Sequence, residues 1–293
     1  MIKSVRDYLS LIKFSHSVFA LPFALVTMII ALQGYNSGKM ILEIVILIII
    51  AMVSARSGAM GFNRLVDIKW DSQNPRTATR PSATGAVGTG QMIIMILISF
   101  AILVYVAWRL NPLAFKLSPV AIFLVCFYSY TKRFTTYAHL FLGLAIGSAP
   151  VASWIAVTGE ISLVSLFFGL SVLTWIAGFD IIYSLQDVDF DSRVKLHSIP
   201  VRFGIVRSIY IARSLHILTI VLWFTVPGFA KLSTVYYLGA LICSCLLIYE
   251  HRLVSPGDLS KLNVAFFNMN SINSITMFMA VFGDVILVPW LIN

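Results

Sequence analysis

The sequence predicts an all-α protein that crosses a membrane many times and forms a single domain over residues 1–293. Hydrophobic residues make up 59% of the chain and charged residues only 11%, whereas a soluble domain carries about 25% charged residues. The apolar residues also fall in runs near the length that a helix needs to cross a bilayer, about 20 residues. Because unpaired backbone groups are costly in lipid, each run predicts a helix rather than an open strand.

About nine such runs follow one another and leave little room for a soluble domain. They cover residues 16–34, 41–63, 89–108, 113–130, 138–157, 162–184, 208–227, 233–250 and 272–292. The fourth run is interrupted by Lys116. The first run follows a basic segment, as in a signal peptide, but it is long enough to span and no convincing cleavage site follows it. We therefore expect it to be the first membrane helix.

The placement of Lys and Arg predicts an inner-membrane protein whose N-terminus faces the cytoplasm. If nine helices alternate in direction, the far side holds only Lys39, Arg109, Lys116 and Lys231. Arg56 and Arg213 lie inside helices, and the rest of the 21 Lys and Arg residues fall on the N-terminal side. This distribution is the positive-inside pattern of membrane proteins.

The composition also argues against several other classes of protein. The net charge of +9 does not indicate nucleic-acid binding, because the basic residues are scattered in short loops without forming a patch. The three cysteines fit no disulfide framework and lie in apolar runs, as small buried thiols do. The five histidines form no ligand pattern, so we expect packing or interface roles for them.

Two polar segments on the expected cytoplasmic side resemble each other, near residues 63–88 and 180–207. They read GFNRLVDIKWDSQNPRTATRPSATG and GFDIIYSLQDVDFDSRVKLHSIPVRFG. Each begins with Gly-Phe and an amide or acid, continues with spaced aspartates, and ends with basic residues and proline. They lie four helices apart, which indicates an internal repeat of two helical hairpins, each with one acidic loop.

Each segment carries three oxygen-bearing side chains spaced by four or seven residues: Asn63, Asp67 and Asp71 in the first, and Asp180, Asp187 and Asp191 in the second. On a helix these spacings place each set on one face, whereas Asp189 points away. Acids near lipid are costly, about 2.5–3.5 kcal/mol each at the centre of a membrane helix, so they need a compensating charge. Oxygen ligands of this kind suit Mg2+ completed by substrate phosphate. The alternative is a solvated loop with incidental acids, but acids contribute little to topology.

Basic side chains near the acids suit a diphosphate. Arg76 and Arg80 are spaced by four after the first acidic set, and Lys132 and Arg133 end the fourth run. Arginine binds phosphate oxygens through two donors and lysine acts as a point charge. Taken singly, each of these residues also fits a topology anchor. Together with the acids, they favour a phosphate-binding site.

Arg56 lies inside the second run, where a charge is costly. It precedes Asn63 by seven residues and Asp67 by eleven, so the three share a helix face. Its expected partner is a substrate carboxylate; the alternative is an internal salt bridge to Glu43 or Glu250. Further candidates for lining a substrate pocket are Tyr128, Tyr130, Tyr183 and Ser153, although tyrosines near a membrane interface are often belt residues.

At this point the motifs resemble those of the UbiA superfamily of intramembrane aromatic prenyltransferases. The resemblance rests on NRLVDIKWD with NPRTATRP and on DIIYSLQDVDFD with HSIPVRFG, and it spans nearly the whole chain. The second motif is most similar to the bacterial 4-hydroxybenzoate polyprenyltransferase group. One departure is SATG after Pro81, where relatives have a Leu-Pro-Ser-Gly-like stretch; it concerns only the loop conformation.

The resemblance implies nine helices around a central cavity capped by the two polar loops. It implies catalysis by Asp67, Asp71, Asp180, Asp187 and Asp191, with the first four of these aspartates binding Mg2+ and Asn63 assisting. It assigns diphosphate binding to Arg76, Arg80 and Lys132. It places Arg56 on the carboxylate of an aromatic acceptor, where Tyr128 and Ser153 are further candidates.

The expected reaction moves a polyprenyl chain from an allylic diphosphate to the ring of 4-hydroxybenzoate or a similar aromatic acid. The product would belong to the synthesis of ubiquinone, or of menaquinone by the futalosine-dependent route. Within the superfamily the acceptor can also be a naphthoate, a porphyrin vinyl group or a glycerol-phosphate lipid. A membrane transporter is a further alternative. The CDP-alcohol phosphotransferases are disfavoured, because their D-x-x-D-G…A-R…G-x-x-x-D-x-x-x-D pattern is absent.

Overall fold

The structure is a computed structural model that describes residues 17–33, 38–262 and 264–292. The described residues form a helical bundle without β-strands, apart from an isolated bridge between Ser255 and Asp258. The helices are α1 (Ser17–Ala31), α2 (Gly38–Asp71), α3 (Thr89–Leu110), α4 (Pro112–Thr131), α5 (Ala138–Thr158), α6 (Leu163–Ser184), α7 (Val188–Arg193), α8 (Ile199–Thr225), α9 (Thr234–Leu253), α10 (Asn270–Phe282) and α11 (Val288–Ile292). Single π-helical turns precede and follow α10.

The predicted fold class is confirmed. Eight helical segments of the described chain are long and apolar enough to cross a membrane, and a shorter apolar helix covers Leu21–Ala31. The run interrupted by Lys116 forms one continuous helix, α4. The predicted ends of the first run, residues 16 and 34, and the basic residues before it lie outside the described residues.

Two helices are longer than hydropathy predicts. Helix α2 continues past residue 63 to Asp71, so the first acidic set lies on the helix and not in a loop. Helix α8 begins at Ile199 and not at residue 208; Ser198 accepts a hydrogen bond from the Val201 N–H and caps its first turn. Gly204, with φ 76° and ψ 168°, interrupts α8 near its start. Hydropathy locates only the apolar part of a helix, which explains both differences.

The second acidic segment is not one regular helix. Helix α6 ends at Ser184, a 3₁₀ turn covers Leu185–Asp187, and α7 follows. The prediction that Asp180, Asp187 and Asp191 share one helix face through regular spacing is therefore wrong, because the turn between them changes the angular step per residue. Asp189 is exposed, whereas Asp191 is buried.

Helix α6 lies at the centre of the bundle and packs closely against α5. Its Trp175 side chain is fully buried. A Cβ atom on Gly143 would collide with the Leu173 carbonyl oxygen, and one on Gly147 would collide with the Gly169 carbonyl oxygen. Small residues spaced by four allow two backbones to approach in this way. The resulting antiparallel register places the N-terminal end of α5 beside the C-terminal end of α6.

Candidate active site

The first acidic set lies on the last two turns of α2. Asn63 donates from Nδ2 to Asp67 Oδ2 at 3.0 Å and contacts Ser129 Oγ of α4 at 3.3 Å. The spacing of four residues therefore places the amide and the carboxylate side by side, as the sequence predicts. The contact to Ser129 ties this face of α2 to the end of α4.

Asp71 anchors the loop that follows α2. Arg80 Nη1 donates to Asp71 Oδ1 at 2.7 Å, and Arg64 Nη1 lies 3.7 Å from Asp71 Oδ2. The Thr77 hydroxyl donates to the Asp71 carbonyl oxygen at 2.9 Å. These contacts fold residues 72–87 back over the end of α2, so two guanidinium groups face one carboxylate.

Arg133 holds the remaining carboxylate of the first set. Its Nη2 lies 3.4 Å from Asp67 Oδ1 and donates to the Val66 carbonyl oxygen at 2.9 Å. Its guanidinium carbon also lies 4.3 Å from the Trp70 ring centroid and 4.7 Å from that of Tyr130. Both rings attract the cation, and they hold the Arg133 guanidinium beside Asp67.

A two-pronged ion pair joins the two acidic segments. Arg76 donates from Nε to Asp187 Oδ1 at 2.9 Å and from Nη2 to Asp187 Oδ2 at 2.6 Å. Asn74 donates to the same carboxylate at 3.2 Å, and Arg76 Nη1 reaches the Tyr183 hydroxyl at 3.3 Å. Burial alone lowers the pKa of Arg76, but the hydrogen bonds and charge of Asp187 raise it above its ordinary value. The loop after α2 is thus bonded directly to the second acidic segment.

Asp180, near the end of α6, is held by a histidine of α5. His139 Nε2 accepts from the Ile199 N–H at 3.4 Å, so its proton lies on Nδ1, which donates to Asp180 Oδ2 at 2.7 Å. The His139 side chain is fully buried. The glycine-mediated register of α5 and α6 brings these two residues together. His139 therefore orients the carboxylate of Asp180.

Lys132 lies among acids from both segments. Burial by itself lowers the pKa of the Lys132 ammonium, but the charges of Asp191, Asp180, Asp187 and Asp67 outweigh it and raise the pKa above its usual value. The charges of carboxylates on α2, α6 and α7 can all act on the Lys132 ammonium only if these elements converge around it. The site is consequently a single polar cluster built from both acidic segments.

Two carboxylate oxygens of the cluster have no hydrogen-bond partner among the described residues. They are Asp71 Oδ2 and Asp191 Oδ2, and both are buried. A buried acceptor without a partner is costly and indicates a ligand or an ion. Within the described chain no three His, Cys, Asp or Glu side chains are grouped closely enough to hold a metal as they stand. The donor set is nevertheless all oxygen, which fits Mg2+.

The candidates for acceptor binding lie at different depths. Tyr128 is close enough to Arg56, Arg64 and Asp67 for their charges to act on it, so it links Arg56 to the first acidic set. Ser153 is buried on α5, about 21 Å along the helix from His139 at 1.5 Å per residue. The structure brings Arg56 and Tyr128 near the polar cluster but does not bring Ser153 there.

The alternative partners of Arg56 are engaged elsewhere. Glu43 Oε1 accepts from Arg109 Nη2 at 2.8 Å. Glu250 Oε1 accepts from Asn270 Nδ2 at 3.3 Å inside the bundle. Each of these acids therefore has a described partner other than Arg56.

The sequence did not single out several residues that shape the cluster: Arg64, Asn74, Arg133 as a ligand of Asp67, and His139. The expectation of a packing role for His139 misses its bond to Asp180. A detectable signal was present, since an ionisable residue at the start of an apolar helix is a functional candidate. Its partner follows only from the register of α5 against α6.

Fold and site together define an integral membrane protein that gathers carboxylates and anion-binding cations at one end of a helical bundle. A model of the UbiA prenyltransferase family matches residues 20–272. The chain belongs to this family, and it is therefore an enzyme, a prenyltransferase.

Individual relatives agree with this assignment. The chain is 28% identical over 245 residues to a 4-hydroxybenzoate octaprenyltransferase of Vibrio atlanticus (strain LGP32), covering 83% of this chain and 84% of that protein. It is similar to the apo structure of a UbiA homolog from Aeropyrum pernix K1, with a TM-score of 0.82, 29% identity, and coverage of 91% and 96% of the two chains. A UbiA homolog from Archaeoglobus fulgidus bound to GPP and Mg2+ has a TM-score of 0.68, 19% identity, and coverage of 94% and 99%.

Proposed function

We propose that this prenyltransferase moves a polyprenyl chain from an allylic diphosphate to the ring of 4-hydroxybenzoate, with Mg2+ as cofactor. The observation that carries the proposal is the ion pair between Arg76 and Asp187, which joins the two acidic segments beside Lys132. The Vibrio relative is named for octaprenyl transfer to 4-hydroxybenzoate. The Archaeoglobus structure is bound to GPP and Mg2+.

The proposed metal ligands are the oxygen-bearing side chains at the ends of α2 and α6: Asn63, Asp67, Asp71, Asp180 and Asp187. Bound there, Mg2+ would supply positive charge to the diphosphate oxygens. Asp191 contributes negative charge beside Lys132 and a buried oxygen without a described partner. The buried Asp71 Oδ2, which accepts no hydrogen bond from the described residues, supports the inclusion of Asp71 among the ligands.

The arginines of the cluster have two proposed uses. Without substrate, Arg76 and Arg80 neutralise Asp187 and Asp71, which limits the cost of clustered negative charge. With substrate, they turn to the diphosphate, whose oxygens match the guanidinium fork. Arg76 is partly exposed, with 32% of its side chain accessible, so it is free to make this exchange.

The aromatic acceptor is proposed to lie deeper in the bundle, next to Arg56 and Tyr128. Arg56 lies about 10 Å along α2 from Asn63, at 1.5 Å per residue. A carboxylate on Arg56 would therefore direct the other end of a benzoate ring towards the polar cluster. The Tyr128 hydroxyl, close to Arg56, is a second polar contact for the acceptor. Ser153 remains a prediction, at a greater depth.

The chemistry follows from these positions. Arg76, Arg80 and Lys132 stabilise negative charge as the carbon–oxygen bond to the diphosphate lengthens. The bilayer and the surrounding helices keep water from the allylic cation. The ring carbon ortho to the phenol oxygen forms the new carbon–carbon bond, and its proton leaves.

The product would be a 3-polyprenyl-4-hydroxybenzoate, an intermediate on the way to ubiquinone or to menaquinone by the futalosine-dependent route. We also propose that the protein lies in the inner membrane with its N-terminus and acidic segments on the cytoplasmic side. The distribution of Lys and Arg supports this orientation. The positive residues of the polar cluster are already part of that distribution.

The test is turnover by the purified protein with radiolabelled prenyl diphosphates of several lengths. Acceptors to be compared are 4-hydroxybenzoate, a hydroxynaphthoate, a haem and a glycerol-phosphate lipid, each with and without Mg2+. We expect metal-dependent product with 4-hydroxybenzoate, lost in Asp67→Asn. Turnover only with another acceptor would reject the proposed substrate and keep the family chemistry. An ion flux that Asp67→Asn abolishes, with prenyl transfer intact, would favour a transporter.

A further inference from the structure

A groove of about 290 Å³ lies between α8 and α9, away from the acidic segments. Its polar end is formed by Arg213, His251 and Arg252, and its walls include Ile217, Ile220 and Ile248. The exposed fractions of Ile217 and Ile248 are 62% and 53%. The groove therefore combines a basic end with an apolar wall that faces outwards from the bundle.

Among the described residues, neither arginine of the groove forms an ion pair. The ion pairs of the described residues involve other side chains. The Arg213 guanidinium carbon lies 5.5 Å from the centroid of the Tyr210 ring. Both guanidinium groups border the same groove, and a cation on a membrane helix is costly. A negatively charged ligand between them would lower this cost.

The depth of the groove suits a lipid headgroup. Helix α8 runs away from the second acidic segment, and α9 returns and ends at Leu253. Arg252 lies in the last turn of α9, and Arg213 borders the same groove on α8. The basic end thus lies where α9 leaves the apolar layer, and the isoleucines lie deeper. An amphiphile with a phosphate at the interface and a chain in the bilayer has the same arrangement.

The basic end is held in place by a buried hydrogen-bond chain. The Trp175 carbonyl oxygen accepts from His216 Nε2 at 3.1 Å, so His216 Nδ1 accepts from His251 Nε2 at 3.0 Å. Any Cβ at Gly178 would collide with the His216 ring. The glycine thus lets α8 approach α6 closely. The hydrogen bonds from Trp175 through His216 to His251 fix the His251 side chain at the groove. The basic end is therefore positioned by the packing of the helices.

We propose that the groove binds one anionic phospholipid of the surrounding bilayer. Its phosphate lies between Arg213 and Arg252, and an acyl chain follows Ile217 and Ile248. Free phosphate would use the two arginines but not the apolar wall. Basic pockets between membrane helices are known to suit anionic headgroups. The proposal is independent of the acceptor in the prenyl-transfer reaction.

The test is native mass spectrometry of the full chain in detergent, titrated with phosphatidylglycerol or phosphatidylcholine of the same acyl chains. We expect tighter binding of phosphatidylglycerol. Arg213→Gln and Arg252→Gln should each weaken it about fivefold, or about 1 kcal/mol per cation, without changing phosphatidylcholine binding. The matched control is Arg207→Gln, an exposed arginine on α8, which should change binding less than twofold. Melting temperature checks that each variant folds.

Three results would overturn the proposal. One is an unchanged phosphatidylglycerol preference in Arg213→Gln/Arg252→Gln. Another is an equal loss in Arg207→Gln, which would indicate diffuse surface charge. The third is full competition by millimolar inorganic phosphate. If the double glutamine variant does not fold, Arg213→Lys/Arg252→Lys replaces it. We expect this charge-retaining variant to keep the preference for phosphatidylglycerol over phosphatidylcholine. If the variant folds but loses that preference, a mainly electrostatic site is contradicted.

Discussion

Replacing Arg76 should separate its two proposed uses, in folding and in catalysis. The side chain makes two charge-assisted hydrogen bonds to Asp187, at 2.9 and 2.6 Å. Such bonds contribute about 1.5–3 kcal/mol each, but 32% of the Arg76 side chain is exposed, and solvent screening reduces the net value. The Asn74 contact to Asp187 also remains. We expect Arg76→Gln to lower the free energy of unfolding by about 2 kcal/mol.

The catalytic effect of the same change should be larger. Loss of one donor to a departing anion costs about 10²–10³ in kcat, or about 2.7–4 kcal/mol. Arg76→Lys keeps the charge but loses the planar fork, so its kcat should lie between the wild-type and Arg76→Gln values. The matched control is Arg193→Gln, an exposed arginine that donates to the Asp189 carbonyl oxygen; it should be close to wild type.

The assay is steady-state prenyl transfer with purified protein, reporting kcat and the KM for diphosphate, together with thermal unfolding of each variant. Wild-type kcat in Arg76→Gln would refute a role of this guanidinium in the reaction. Equal losses of kcat in Arg76→Gln and Arg193→Gln would show that the assay reports net charge and not the site.

Changes at His139, Gly147 and Lys132 test the carboxylate site, the helix packing and the charge of the cluster. His139→Asn keeps a donor near the Nδ1 position and should retain Mg2+ affinity, whereas His139→Ala should weaken that affinity about 10–100-fold. Metal titrations compare the two variants. Equal Mg2+ affinities would contradict the role of His139 in orienting Asp180. Gly147→Ala places a Cβ against a backbone carbonyl oxygen and should lower the free energy of unfolding by about 1–3 kcal/mol. The control is Gly90→Ala, whose added Cβ meets open space and should leave the stability unchanged. Thermal unfolding compares the two variants. The pKa of Lys132 is raised above 10.5, so its charge is fully present below that pH and lost only above the raised value. The KM for diphosphate should accordingly not rise between pH 7 and 9 through this group, and a rise that Lys132→Arg removes would contradict the assignment.

Hydropathy predicts the helical bundle well because each membrane-spanning helix needs an apolar segment about as long as the bilayer core is thick. It fails where a helix continues into polar surroundings, as α2 does to Asp71. The early start of α8 had local signals: Ser198 caps the helix and Pro200 lies in its first turn, and both are typical of a helix N-terminus. Hydropathy misses this helix start because Gly204 and basic residues lower the hydropathy of the segment that follows.

The acidic residues of the site could be found from their spacing, but their partners could not. Asn63 and Asp67 meet because four residues make about one helical turn. Asp187 and Arg76 meet through a loop and a 3₁₀ turn, whose geometry no periodicity encodes. His139 reaches Asp180 through helix packing. Local spacing is contained in the sequence, whereas contacts between distant segments depend on the whole fold.

We propose that both acidic segments together hold one diphosphate through a bound metal ion. The most direct measurement is an electron paramagnetic resonance titration of Mn2+ into the purified protein with an unreactive prenyl diphosphate analogue. Asp67→Asn and Asp187→Asn should each weaken Mn2+ binding at least about tenfold, while Asp189→Asn, at an exposed position, should leave it unchanged. Unchanged Mn2+ affinity in Asp187→Asn, with binding lost in Asp67→Asn, would contradict a shared site.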